Sequence, residues 1–291
     1  MSKETNLPTL DQQLLQQWIG RSLGSTDTIH AGVGRQMASL LDQPFDESQS
    51  LPALWHWLYF HEAVATCDLA EDGHARRGSF LPPIDLPSRM WAGGSIEFQK
   101  PIHFGDMIER HSEISDVQLK NGRSGQLCFV TITHQLTRQN ENVLREKQTL
   151  VYRESSGYQA IGRKLNQVEA AAPLYELRTP EIMWITPSVA ALFRYSALTY
   201  NAHRIHYDRE YCQRIEQYPG LVFHGPLSAT LMATLAQSGW SKPLKSFEFR
   251  AVSPVFDTDR FVIRNNRTED KCALIATTLD DTIIMQAEAK A

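Results

Sequence analysis

Several familiar chemistries lack their residues in this chain of 291 amino acids. The four cysteines, Cys67, Cys128, Cys212 and Cys272, stand far apart and form no CxxC pair. That spacing argues against a disulfide frame or a zinc knuckle and suits reduced thiols in the cytoplasm. No run reaches the roughly 18 apolar residues of a membrane span. Residues 1–20 are polar and lack the apolar centre of a secretory signal. Basic charge is not in surplus: 29 Lys and Arg face 33 Asp and Glu, so no basic stripe for nucleic acid is expected. The glycines of GVGRQ (32–36) follow no strand pattern and lack the third glycine of a dinucleotide fingerprint. What remains is 42% hydrophobic and 21% charged, the balance of a packed globular protein rather than a disordered one. At about 150 residues per domain, the length suggests two domains.

The chain reads as helix followed by strands, twice. Near the start, Leu14, Leu15, Trp18 and Ile19 fall on helical spacing. LPALWHWLYFHEAVATCDLA (51–70) is apolar nearly all round, which predicts a buried helix. Strand patterns with a turn between them come next over 89–120, then a strand over 125–139, a turn at 140–144 and a third strand around 144–154. Residues 156–175 are small and polar and read as a linker, placing one unit at 1–155 and the other at 176–291. In the second unit, 219–239 reads as a turn and a buried helix, with Pro226 in its first turn and Ser238-Gly239 at its end. Strand patterns cover 246–252, 260–265, 272–278 and 282–288. Pro101…Asp106 recurs as Pro254…Asp259, 153 residues on, an echo that supports duplication. A helix packed on an antiparallel sheet makes the class α+β.

Three of the ten histidines, His203, His206 and His224, fall within 22 residues. Asn201 lies five before His206 and Asp208 two after it, while Gly225 opens the second buried helix. Histidine is the proton carrier suited to neutral pH. Asn201 is not a base, but its carboxamide can hold a water by donating and accepting together. A free N–H at the helix start, best that of Gly225 because Pro226 has none, can face a developing oxyanion. Two roles are open to Asp208: fixing an imidazole tautomer or capping the segment. Arg204 can pair with Asp208, with a substrate carboxylate or with a phosphate. His203, His206, Asp208 and His224 could also be read as metal ligands, but their spacing is unlike common zinc sites, and no metal is expected.

YNAHRIHYD followed by HisGly resembles the hydratase motif of the MaoC-like hot-dog hydratases and dehydratases, Asp-x-Asn-Pro-x-His with HisGly at the next helix. Asn201 stands at the motif's aspartate, His203 at its asparagine and Arg204 at its proline, so the motif histidine, His206, is what is retained. LWHWLYF, LPPIDLPSRMWAGG and FQKPIHFGD resemble the subgroup of mesaconyl-C4-CoA and itaconyl-CoA hydratases and mitochondrial-type 3-hydroxyacyl-thioester dehydratases. The likeness runs from about residue 50 to the end.

The resemblance implies a double hot dog, each repeat a curved sheet around one long helix. It places catalysis in the second repeat, on His206, Asn201 and Gly225, with the first repeat shaping the acyl pocket. His203, Arg204, His224, Asp208, Arg89, Trp91, Gly93 and Gly94 become candidates for contact with substrate, and Arg194 and Arg250 are further arginines to place. Gly93 and Gly94 can let a chain pass or can mark a bulge. The implied reaction is reversible hydration of an enoyl-CoA, best a C5 dicarboxylic one (itaconyl-CoA or mesaconyl-C4-CoA to citramalyl-CoA). A dehydratase for fatty acyl chains and a non-catalytic acyl-thioester binding protein are the alternatives. Coenzyme A enters as part of the substrate, no cofactor is needed, and a cytoplasmic homodimer is expected.

Overall fold

Period-two patterns dominate the chain, and in the computed structural model they join into one 11-stranded sheet. The structure describes residues 10–122, 125–154 and 172–291. The first half supplies β1 (Ser22–Thr28), β2 (Ser88–Phe98), β3 (Met107–Gly122), β4 (Gly125–Arg138) and β5 (Glu141–Arg153). The second supplies β6 (Tyr175–Thr179), β7 (Ile182–Ile185), β8 (Ser246–Ala251), β9 (Phe261–Arg267), β10 (Lys271–Thr278) and β11 (Ile283–Lys290). The helices are α1 (Gln12–Gln16), α2 (Ala31–Leu40), α3 (Val189–Leu198), α4 (Arg209–Arg214) and α5 (Gly225–Gln237). Among the described residues, no helix is long and apolar enough to cross a membrane.

The strand order β1-β3-β4-β5-β2-β8-β11-β10-β9-β7-β6 reads as two copies reflected about a seam. At the seam, β2 pairs antiparallel with β8, from Gly93 opposite Arg250 to Glu97 opposite Ser246. The Pro-to-Asp echo falls on the equivalent connections, β2 to β3 and β8 to β9. Each carries a matching bridge: Ser50 pairs with His103, and Val222 with Phe256. The bridged segments therefore enter the two copies at corresponding places.

Beyond the bridges the two copies diverge. After Val222 comes α5, apolar on every face and buried from Leu227 to Ala233. It packs on β8 to β11. After Ser50 comes no long helix, which corrects the helix expected over 51–70. That stretch makes only single 3-10 turns at Trp55–Leu58 and Thr66–Asp68. Leu54 (φ 68°) and Phe60 (φ 63°) are left-handed on either side of the first turn, and an α-helix does not propagate through such residues. Burial survives the change of backbone. Leu54, Trp55, Leu58, Tyr59 and Phe60 pack in one core with Ile96, Ile108, Leu136 and Leu144 of the first-half sheet. The aromatic run thus does by bulk what α5 does as a helix.

Strands β1, β6 and β7 escaped the sequence patterns. β1 and β6 are short, largely exposed edge strands, where apolar alternation is not required. The linker expected over 156–175 lies outside the described residues up to 171, and Tyr175 already opens β6.

Candidate active site

α3 ends in a Schellman motif: Tyr200 is left-handed (φ 48°) and the Asn201 N–H donates to the Ser196 carbonyl at 2.8 Å. The chain is thereby thrown off the helix at Asn201. The Asn201 Oδ1 then accepts from the His203 N–H at 3.0 Å, closing a tight turn. A 3-10 turn over Arg204–His206 comes next, and the Val222 N–H donates to the Ile205 carbonyl. These bonds bring the loop beside the start of α5.

There His206 and His224 stack, ring centroids 3.7 Å apart. His206 Nδ1 donates to the Val222 carbonyl at 2.8 Å, which leaves Nε2 with its lone pair. Burial pushes the His206 pKa down to about 4, against a smaller opposing effect of the Val222 bond. The ring is neutral at pH 7, the form a base requires. His224 Nε2 pairs with Ser196 Oγ at 2.9 Å, and burial, then His206 and His203, lowers its pKa well below the ordinary range. A Cβ on Gly225 would meet nothing within 4 Å, so the helix start faces open space.

The second half does not build this site alone. Residues 71–74 are tied onto the histidine loop. The Arg204 N–H donates to the Asp72 carbonyl at 2.9 Å, and Arg204 Nη1 donates to the Glu71 carbonyl. Gly73 lies so close that a Cβ there would come within 1.9 Å of the Ala202 carbonyl oxygen. This docking sets His74 against His203, centroids 4.1 Å apart, and His203 meets His206 edge-on. Asp72 Oδ2 accepts from His74 Nδ1 at 2.9 Å. Burial works to raise the Asp72 pKa, but the bonds and charge of His74 outweigh it and hold the carboxyl below its usual range. Burial likewise lowers His74 and His203. Asp72, His74 and His203 each bring one potential ligand atom within 4.8 Å of the others, so these are the residues that could meet a metal ion. Asn201 stands where the family motif has aspartate, and the Asp72 carboxylate enters the same cluster from the other half of the chain.

A cavity of about 740 Å³ spans both halves. Asn201, Ala202 and Pro226 line it from the second half, and Arg89, Trp91 and His74 from the first. With Oδ1 engaged by His203, the amide nitrogen of Asn201 is the end left for the cavity. His203, His206 and His224 are nearly buried and are not on the cavity wall.

Arg204 Nε and Nη2 both donate to Asp208 Oδ2, at 3.0 and 2.8 Å. Asp208 Oδ1 caps α4 at the Tyr211 N–H. The pair is a clamp on the loop, and Asp208 bonds no imidazole. Gly93 and Gly94 do not line the cavity. They mark the bulge at the seam, where Cβ atoms would come within 2.5 Å of the Phe249 carbonyl oxygen and 2.7 Å of that of Lys147. Arg194 reaches across to Ser39 on α2, and Arg250 is exposed on β8.

Asp72 and His74 went unnoticed in the sequence, where Asp-Gly-His has only the look of a turn. Arg110, also missed, lines the cavity from β3. Its signal is the period-two count along 108–114, which puts an arginine among core-facing isoleucines.

Residues 54–257 match the family described as hydroxyacyl-thioester dehydratase type 2. The chain is 38% identical over 275 residues to the mesaconyl-C(4)-CoA hydratase of Chloroflexus aurantiacus, covering 93% of this chain and 95% of that one. In fold it is similar to a MaoC-like dehydratase of Phytophthora capsici, with a TM-score of 0.68 at 17% identity over 97% of each chain. It is also similar to a double hot-dog protein of Mycobacterium tuberculosis, with a TM-score of 0.53 at 12% identity over 94% of this chain and 96% of that one. The chain has the double hot-dog fold and belongs to the hydroxyacyl-thioester dehydratase type 2 family.

Proposed function

We propose that this protein reversibly hydrates an enoyl-CoA whose acyl group is a C5 dicarboxylic acid, itaconyl-CoA or mesaconyl-C4-CoA, to give citramalyl-CoA. The observation that carries the chemistry is His206: neutral, held at Nδ1 by Val222, with Nε2 left to take a proton. The similarity to a mesaconyl-C(4)-CoA hydratase over nearly the whole chain supports the acyl group.

In mesaconyl-C4-CoA, whose double bond is conjugated with the thioester, water adds to C3 while the double bond's electrons move toward the thioester oxygen; itaconyl-CoA first loses a proton from C2 and gains one at its methylene carbon, which converts it to that conjugated isomer. His206, which is not on the cavity wall but keeps 8% exposure, takes the proton that water loses. The Gly225 N–H at the start of α5 meets the oxyanion. The proton held by His206 is then delivered to C2, so water's hydroxyl and proton end on C3 and C2 and His206 returns to its neutral form. Asn201 orients the water or the carbonyl through its amide nitrogen. The Asp72–His74 pair supplies the carboxylate-backed imidazole that Asn201 does not. Only protons move, so the reaction calls for no redox cofactor and no metal, and coenzyme A is part of the substrate. We further propose a cytoplasmic protein that forms a homodimer or higher homo-oligomer; light scattering tests the assembly and cell fractionation the location.

A second reading, dehydration of fatty 3-hydroxyacyl thioesters, is favoured by the description of the matching family. Loss of enoyl-thioester absorbance with crotonyl-CoA and mesaconyl-C4-CoA, and formation of citramalyl-CoA from itaconyl-CoA followed by chromatography, separate the two. Preference for the dicarboxylic substrates, abolished in His206→Ala, is the expected result. Preference for crotonyl-CoA moves the assignment to fatty chains. Silence on all three, with acyl-CoA still bound, leaves a binding protein.

A further inference from the structure

The core-facing rows of β3, β4 and β5 are apolar except in one polar patch centred on a single level. On β3 the sequence of inward positions is Ile108, Arg110, Ser112, Ile114; on β4 it is Ile132, His134, Leu136; on β5 it is Leu144, Glu146, Gln148, Leu150. Register puts Ser112, His134 and Glu146 directly abreast, with Arg110 and Gln148 on either side of that row. Polar groups at one level of a sheet's inner face are costly unless each finds a partner.

Most of them do. His134 sits between Ser112 Oγ (2.7 Å at Nδ1) and Gln148 Oε1 (3.1 Å at Nε2). The two oxygens of Glu146 accept from His56 Nε2 at 3.0 Å and from Trp57 Nε1 at 2.9 Å. Arg110 is the exception. Its Nη2 donates to the Phe60 carbonyl at 3.0 Å and its guanidinium lies over the Phe60 ring. Its Nε is buried with no partner, and no ion pair of Arg110 is found among the described residues. Glu146, Glu62 and Asp27 act on it only at longer range. A guanidinium does not discharge at any working pH, so burial does not remove the charge.

Arg110, His134, Glu146 and Gln148 all line the cavity that Asn201 and Pro226 line from the other half. A fatty chain would lay its apolar end against this wall. A carboxylate would give Arg110 the planar, two-oxygen partner it lacks.

We propose that Arg110 forms a carboxylate-binding subsite in the first-half wall, which takes the free carboxylate of a dicarboxylic acyl-CoA. This rests on the hydratase reading for its biological use, but not for its test. Succinyl-CoA and butyryl-CoA have acyl groups of the same length, ending in carboxylate and in methyl. Their affinities for the wild-type protein, Arg110→Met and Arg110→Lys are measured by calorimetry, with circular dichroism to confirm folding. Wild type is expected to prefer succinyl-CoA, and Arg110→Met to lose roughly 30- to 100-fold in succinyl-CoA affinity while butyryl-CoA changes less than about threefold. Arg110→Lys, keeping charge without the fork, falls between. Equal loss of both ligands, or no loss of either, overturns the subsite, as does a wild type that does not favour succinyl-CoA. Should Arg110→Met fail to fold, the wild-type preference and the Arg110→Lys ratio still decide. Turnover of enoyl-CoA in the same preparation reports separately, so failure of the hydratase reading is distinguishable from failure of the subsite.

Discussion

The His206 and His224 rings lie face to face, 17° from parallel with centroids 3.7 Å apart, on the two sides of the loop-to-helix junction. Two imidazoles this close cannot readily both be charged. Burial lowers both, His206 to about 4 from the ordinary 6.5. The acid limb of kcat/KM is therefore expected nearer pH 4 than 6.5, with a flat profile from pH 8 to about 5.5. A limb centred on 6.5 would show that His206 is solvated in the working enzyme.

The same depressed values bear on stability. Between about 4 and 6.5 the unfolded chain binds protons that folded His206 does not, and His224, His203 and His74 shift in the same direction. Their contribution is complete above pH 6.5 and is lost as pH falls toward 4. Denaturation midpoints from pH 7.5 to 4.5 should fall steeply, and less steeply in His224→Gln. A midpoint that does not change with pH would contradict this.

Two glycines at the site should behave oppositely. Gly73 is left-handed (φ +91°), and a Cβ there would meet the Ala202 carbonyl oxygen at 1.9 Å. Gly73→Ala should cost roughly 2–4 kcal/mol of stability and most activity, since strain and clash add. Gly225→Ala meets nothing within 4 Å and should keep the wild-type melting temperature, while losing kcat through crowding of the thioester. Equal melting temperatures for the two variants would refute the contrast.

Asp72 orients His74 from 2.9 Å. Asp72→Asn should lower kcat by roughly 10- to 100-fold with KM little changed, the range for loss of a partner that orients an imidazole. Adding Asn201→Asp to that variant should restore part of the rate and move the acid limb. Without any such rescue, Asp72 is only part of the loop's architecture.

The Arg204–Asp208 clamp predicts an effect on stability rather than on affinity. Asp208→Ala removes the α4 cap and should cost about 1 kcal/mol, leaving KM within about twofold. A large rise in KM would return these residues to the substrate. Prolonged treatment with chelator should leave the rate unchanged, and a loss restored by a divalent ion would make Asp72, His74 and His203 a metal site.

Much of the second half was legible one residue at a time. Strands β8 to β11 and helix α5 can be read from local periodicity, because an amphipathic strand and an all-apolar helix state their burial in their own residues. The spacing from Asn201 to His206 and the HisGly start of α5 were equally local, and the tertiary structure brings them together. The aromatic run at 51–70 announced its burial but not its backbone. Left-handed Leu54 and Phe60 are ordinary residues, so nothing in their identity warns that the helix stops.

By itself, then, the sequence determined which stretches are strands, which helix is buried and which histidines cluster, since each depends on neighbours within a few residues. Only the tertiary structure decided that Asp72 and His74 complete a cluster more than 120 residues away, and that Arg110, with no ion pair among the described residues, stands beside the row of His134 and Glu146. Those facts depend on docking and on strand register, and register is a property of paired chains that no single segment encodes.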